Sequence, residues 1–280
     1  MHARAHAALG LLAGFRALRG VQLEAFLFAD DRLKPASRRV VAQRVLGHLR
    51  DRGLVQGVAV AGAAGVEGSR AYVLTAAGQR LYAAGDPFYP ARRIRAPSTF
   101  LLEHAVALAD IAIAFRDEAV RARDMDLWWE CDWAALPRIG STGVIPDALV
   151  TLERRGWRTR AFIEADRATE HETAFARKLL RYIELYRADD WRASFGAWPL
   201  ILTVTTSDAH ARVLCRLAHR VTLREGGSRI AGAFRFTSLA ELRMEGPRAP
   251  IWHVAGRVDR VPLVEPTVKD ADHGGGDRGA

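Results

Sequence analysis

The sequence predicts an α/β (α+β) protein built in two parts, and three observations carry that prediction. Apolar residues recur at helical spacing up to about residue 50 and then give way to two short apolar strands. The net charge of +9 lies entirely in the first third: residues 1–98 hold 15 Lys+Arg against 6 Asp+Glu, and residues 99–280 hold 26 against 26. From residue 99 onward, helix and strand signals alternate in the order αβββαβ.

In the first part, Leu11, Leu12, Phe15 and Leu18 predict a helix over 6–18, and Val21, Leu23, Phe26 and Leu27 a second over about 20–28. A third starts after Lys34-Pro35, with Ser37 near its start as N-cap, and runs through Val41, Val45, Leu46 and Leu49 to Gly53, a suitable C-cap. Residues 54–60 and 70–74 read as strands either side of the glycine-rich tip AGAAGVEGS, and Thr75 caps a short helix over 76–84. Three helices, a two-stranded ribbon and a closing helix make a winged helix-turn-helix, expected over residues 1–84.

On a helical wheel, Val41, Ala42, Val45, Leu46 and Leu49 share one side of the third helix, and Arg39, Val40, Gln43, Arg44, Gly47 and Arg50 the other. Arg and Gln form bidentate bonds to base edges, and small residues let a helix sit deep in a groove. Arg38, Arg39, Gln43, Arg44 and Arg50 are therefore candidate DNA contacts. Arg70 on the ribbon and Arg92, Arg93 and Arg95 in the linker over 85–98 are candidates for phosphate. A charge excess of this kind draws a polyanion. It sits within a patterned globular segment rather than a polybasic tail, which favours double-stranded DNA over a membrane surface. An N-terminal unit used only for protein contacts is the competing reading.

The second part is expected over 99–265, followed by a glycine-rich tail over 266–280 expected to be disordered. Ser98 or Thr99 caps a long helix to about Arg123; strands follow at 126–130, 144–153 and 159–166, then a helix at 170–188, an apolar and therefore central strand at 199–205, a helix at 208–223, and strand signals around Phe234 and Trp252. Two cysteines, Cys131 and Cys215, exclude a disulfide framework and fit a cytoplasmic setting. No apolar run is long enough for a membrane span. No phosphate-binding G-x-x-x-x-G-K-S/T and no histidine metal motif of a tyrosine relaxase occurs.

The sharpest local pattern is Ile145-Pro146-Asp147, then Phe162-Ile163-Glu164-Ala165-Asp166-Arg167-Ala168-Thr169-Glu170. Asp147 early on one strand and Glu164 late on the next would lie side by side in a hairpin. Paired carboxylates at a sheet edge suit Mg²⁺, which activates water and stabilises charge on a phosphodiester. Lys178, the only lysine between Lys34 and Lys269, falls at the edge of the apolar arc Phe175, Leu179, Tyr182, Leu185 and Tyr186, so its amine is expected to point toward the sheet or to snorkel past it. His104 reads as a packed histidine, Glu130 as a surface residue, Thr169-Glu170 as a helix start and Asp166-Arg167 as an ordinary ion pair.

Pro-Asp followed by a Glu on the next strand resembles the PD-(D/E)xK nuclease superfamily, with Asp166 standing where that pattern has lysine. The resemblance implies Asp147 and Glu164 as metal ligands and Asp147, Glu164, Asp166 and Lys178 as catalytic candidates, with Lys178 replacing the missing lysine. Leu102-Glu103-His104, I-P-D, F-I-E-A-D-R-A-T-E and K-L-x-x-Y (Lys178 to Tyr182) together resemble the replication-relaxation family of bacterial plasmids and mobile elements. That implies plasmid replication or mobilisation proteins as partners. Two readings stay open: a Mg²⁺-dependent endonuclease or nickase, and a non-catalytic accessory factor or transcriptional regulator on a nuclease-like scaffold.

Overall fold

The computed structural model describes residues 3–29, 33–60, 70–85, 98–131, 144–154, 157–168, 172–189 and 191–263. It shows a mixed α+β protein. Helices α1 (Ala3–Phe15), α2 (Gly20–Leu27), α3 (Pro35–Asp51) and α4 (Ala76–Gly85) surround a small sheet of β1 (Leu18–Arg19), β2 (Val55–Ala59) and β3 (Arg70–Leu74), ordered β1-β3-β2 and antiparallel throughout. The ribbon tip over 61–69 and the arginines Arg92, Arg93 and Arg95 lie outside the described residues.

Two local expectations are corrected here. The first helix stops at Phe15, because Arg16 takes a left-handed turn at φ 68° and sends Leu18 and Arg19 into the sheet opposite Tyr72 and Ala71. Leu18 is fully buried either way, so apolar spacing could not tell a helix end from a strand. The third helix starts at Pro35, with Lys34 rather than Ser37 as its N-cap. Proline's fixed φ suits the first helical position, and its missing N–H would have had no partner there. Gly53 at φ 66° closes that helix as expected.

Gly78 in α4 is tightly placed. A Cβ there would sit 2.0 Å from the backbone oxygen of Leu54, which also accepts from the Thr75 N–H at 3.0 Å. A backbone carbonyl cannot swing aside. Gly78→Ala is therefore expected to destabilise the chain by about 2 kcal/mol, overpacking outweighing the ~1 kcal/mol gain in helix propensity. An unchanged thermal midpoint would show that α4 shifts freely on the sheet.

Helix α5 (Thr99–Ala122), capped by Ser98, serves two cores. Its Ala109 and Ala112 pack with Leu9, Leu12, Leu23, Leu46 and Leu49 of the N-terminal helices. Its Leu102, Ala105 and Val106 pack with Val60, Ala71 and Val73. The buried Gln22 fastens α2 to it, donating to the Val106 carbonyl at 2.8 Å and to Asp110 at 2.7 Å.

The remaining face of α5 lies on a six-stranded sheet of β4 (Met125–Cys131), β5 (Ala148–Arg154), β6 (Trp157–Ala165), β7 (Leu200–Thr205), β8 (Phe234–Ser238) and β9 (His253–Val254), in that order. β6, β7 and β8 run parallel and the other neighbours antiparallel. β7 lies between parallel neighbours, as its apolar run required. Strand alternation then builds two cores. Ala161, Ile163, Leu202 and Val204 face α5 and α10 (Leu239–Glu245), together with Trp252. Leu149, Phe162, Ile201, Phe234 and Phe236 face α6 (Glu172–Ala188), α7 (Trp191–Phe195) and α8 (Asp208–Arg224), with α9 (Ser228–Ala231) behind them. Each large apolar side chain fully buried here contributes roughly 1.5–3 kcal/mol. Among the described residues, no helix is long and apolar enough to cross a membrane.

Candidate functional site

The carboxylates meet at the end of the sheet where β6 stops. The pairing Ala148↔Ile163 places Asp147, one residue before β5, beside the last residues of β6. The Asp147 N–H donates to the Ile163 carbonyl at 3.0 Å, and the Ala165 N–H donates back to Asp147 Oδ2 at 2.8 Å. Asp147 is thus fixed by backbone on both sides.

Helices from opposite faces complete the cluster. From α5, His104 Nε2 stands 3.0 Å from Asp147 Oδ1. From α6, Lys178 Nζ donates to Glu164 Oε2 at 2.8 Å, and the Tyr182 hydroxyl donates to Glu164 Oε1 at 2.5 Å. Lys178 and Tyr182 are one helical turn apart, so a single face of α6 supplies both donors. The amine of Lys178 does point toward the sheet.

Burial sets the electrostatics. Glu164 is 2% exposed, and burial pushes its carboxyl up to about 7, with the Lys178 charge opposing and the Asp147 charge assisting. Burial also raises Asp147, but the hydrogen bond and charge of His104, the Lys178 charge and the Ala165 N–H outweigh it and hold that carboxyl below its ordinary value. Burial lowers His104, yet its bond to Asp147 wins and its pKa is raised. Burial and the neighbouring Glu164 push Tyr182 well up. Two carboxylates of one cluster are thus driven in opposite directions, as at sites that hold a proton on one of a pair.

Asp166 is engaged elsewhere. Its N–H donates to the Val204 carbonyl at 2.9 Å, and its Oδ2 accepts from Thr205 Oγ1 at 2.6 Å and from the Ala168 N–H at 3.2 Å. His210 Nε2 lies 3.0 Å from the same oxygen, without hydrogen-bond alignment. Arg167, expected to pair with Asp166, instead reaches across to Glu103 on α5 and lies over the Phe100 ring, 5.5 Å from its centroid. Thr169 and Glu170 lie outside the described residues, as do residues 266–280.

A hydrated Mg²⁺ needs open carboxylate oxygens. Here both oxygens of Asp147 and both of Glu164 already hold protein donors. Among the described residues, no group of three or more His, Cys, Asp and Glu could hold a metal ion. A Mg²⁺ ion here would have to share those oxygens with His104, the Ala165 N–H, Lys178 and Tyr182.

Of the candidate DNA contacts, Arg39, Gln43, Arg44 and Arg50 are exposed on α3, while Ala42, Leu46 and Leu49 are buried beneath them. Arg39 lies 3.8 Å from Glu24. Arg38 is half-buried and donates to the Leu33 carbonyl at 2.7 Å. Arg70 is exposed on β3, its side chain lying across Gly57.

Sequence reasoning missed His104, Tyr182, Thr205 and His210. Tyr182 carried a signal, standing four residues after Lys178 on the same helix face. His104 carried a weaker one in the Glu103-His104 pair.

Basic helical segment, mixed sheet and buried carboxylate–lysine–tyrosine cluster define a mixed α+β protein with a polar site at its sheet end. The chain matches the replication-relaxation family over residues 9–201, more than half its length, and belongs to that family. The match runs from α1 into β7 and includes α3 and every member of the cluster. No curated protein and no solved structure matches the chain.

Proposed function

We propose that this chain is a DNA-binding protein of plasmid or mobile-element replication or relaxation, gripping duplex DNA with an N-terminal winged helix-turn-helix. The observation that carries this is the outer face of α3, where Arg39, Gln43, Arg44 and Arg50 stand exposed around the half-buried Gly47. Membership of the replication-relaxation family and the basic charge of the first 98 residues support it. In this reading the β2–β3 ribbon is the wing and Arg70 a phosphate contact.

The second part is then a PD-(D/E)xK-like scaffold serving as a non-catalytic platform. Its support is the closed cluster, in which every carboxylate oxygen of Asp147 and Glu164 is held by the protein. A second reading, an endonuclease or nickase working with Mg²⁺, is favoured by the convergence of Asp147, Glu164 and Lys178 at one sheet edge. It requires Lys178 or His104 to leave its carboxylate.

A supercoiled plasmid incubated with the full chain, with EDTA, Mg²⁺ or Mn²⁺ in turn, separates the readings. The expected result is a gel shift of similar strength in all three and no nicking. Metal-dependent nicking that disappears in Lys178→Ala would establish the enzyme instead. Absence of any shift at low salt would defeat both.

A further inference from the structure

The cluster opens into a cleft of about 270 Å³ between the two parts of the molecule. One wall is the turn at the end of α1, with Phe15 and Arg16; the other is the start of α5, with Phe100 and His104; Asp147 and Lys178 border it on the sheet side. We propose that this cleft receives one unpaired nucleotide of the bound DNA, its base stacked on Phe100. The inference rests on the DNA-binding reading above.

Phe100 carries the argument. It is 48% exposed, although it belongs to a long helix with ample apolar surface to cover it. Its ring is nonetheless held in place: the His104 imidazole lies nearly parallel to it, with centroids 6.4 Å apart and planes at 17°, and the Arg167 guanidinium lies against it. Arg167 is itself fixed by Glu103. An aromatic ring oriented by its neighbours yet half open to solvent is a stacking platform, and every nucleobase has a face to offer it.

The rest of the cleft suits the remainder of a nucleotide. Lys178 is 32% exposed, so its ammonium can share a phosphate while keeping Glu164. The polar edge of the His104–Asp147 pair borders the wall where a base edge would lie. Ala105 and Leu108 give it an apolar side. The position fits as well, since α1, whose end forms one wall, packs in the same core as α3. A base inside a duplex cannot reach such a cleft; it has to be extruded at a cost of a few kcal/mol, or be unpaired already. Melted DNA is therefore the preferred ligand.

The test compares the affinity of the full chain for a short duplex and for the same duplex with a central unpaired bubble carrying 2-aminopurine. The expected result is bubble binding about fivefold or more tighter, the low end of what one stacked base supplies, with a change in 2-aminopurine fluorescence on binding. Phe100→Ala should bring the bubble-to-duplex ratio close to one, and Phe100→Trp should keep it. Equal affinity for duplex and bubble, or an undiminished preference in Phe100→Ala, would overturn the inference while leaving duplex recognition standing. Failure to bind either DNA would overturn both.

Discussion

Replacing Arg39, Arg44 and Arg50 together by alanine is expected to weaken duplex-DNA binding by ~100-fold or more. A bidentate contact to a base edge is worth about 1–3 kcal/mol, so loss of all three exceeds a hundredfold even at the low end of that range. The protein itself should hardly notice. All three side chains are exposed, and the contact of Arg39 with Glu24, at 3.8 Å with Arg39 66% exposed, is of the surface kind that contributes little. Thermal midpoint and cooperativity should therefore stay close to the parent. Arg38→Ala is expected to cost less in DNA affinity, because that guanidinium already donates to the Leu33 carbonyl. Full affinity in the triple variant would show that DNA lies on another face.

The second large effect is on stability and its dependence on pH. Glu164 ionises near 7 in the folded chain against an ordinary 4.5, so over that interval the folded state binds more protons than the unfolded one. A raised carboxyl contributes stability that is fully present below 4.5 and is lost as pH rises through about 7. The interval corresponds to on the order of 3 kcal/mol. His104 acts in the same direction: its raised pKa gives stability complete below 6.5 and lost as pH rises through the raised value. Asp147, held below its ordinary 3.8, contributes stability lost only as pH falls through that lower value, outside this window. Denaturant unfolding of the parent minus that of Glu164→Gln should therefore give a difference that declines from pH 5 to pH 8. Lys178→Met should be destabilised by about 2–4 kcal/mol at pH 8, where Glu164 would otherwise be a buried carboxylate without its cation, and by less at pH 5. A parent-minus-variant difference that is flat across this range would mean that Glu164 is not the buried proton holder described here.

Much of the architecture was legible because apolar periodicity and burial agree. The arc of α6 (Phe175, Leu179, Tyr182) is buried as the wheel required, and Lys178 at its edge reaches Glu164. The departures have particular causes. At Arg16 a left-handed residue ends a helix that periodicity would have continued. Helix α10 hid among strand signals, although Ser238 and Glu241 form the S-x-x-E signature that caps it, the Glu241 N–H donating to Ser238 Oγ at 3.2 Å. His104 was unreadable for another reason: its partner lies more than forty residues away, and only the crossing of α5 with β5 and β6 joins them. Asp166 stands two residues from Glu164, which in a continuing strand would put both on the same side. The chain leaves β6 after Ala165, however, and Asp166 bonds instead to Thr205 at the end of β7.

The central claim, that this chain holds duplex DNA through its basic N-terminal part, is tested most directly by titrating the full chain against duplex DNA at several salt concentrations in EDTA. The expected result is log affinity falling linearly with log salt, with a slope of about 0.9 for each phosphate engaged, and binding that needs no divalent metal. Affinity too weak to measure at low salt, or binding indifferent to salt, would contradict it.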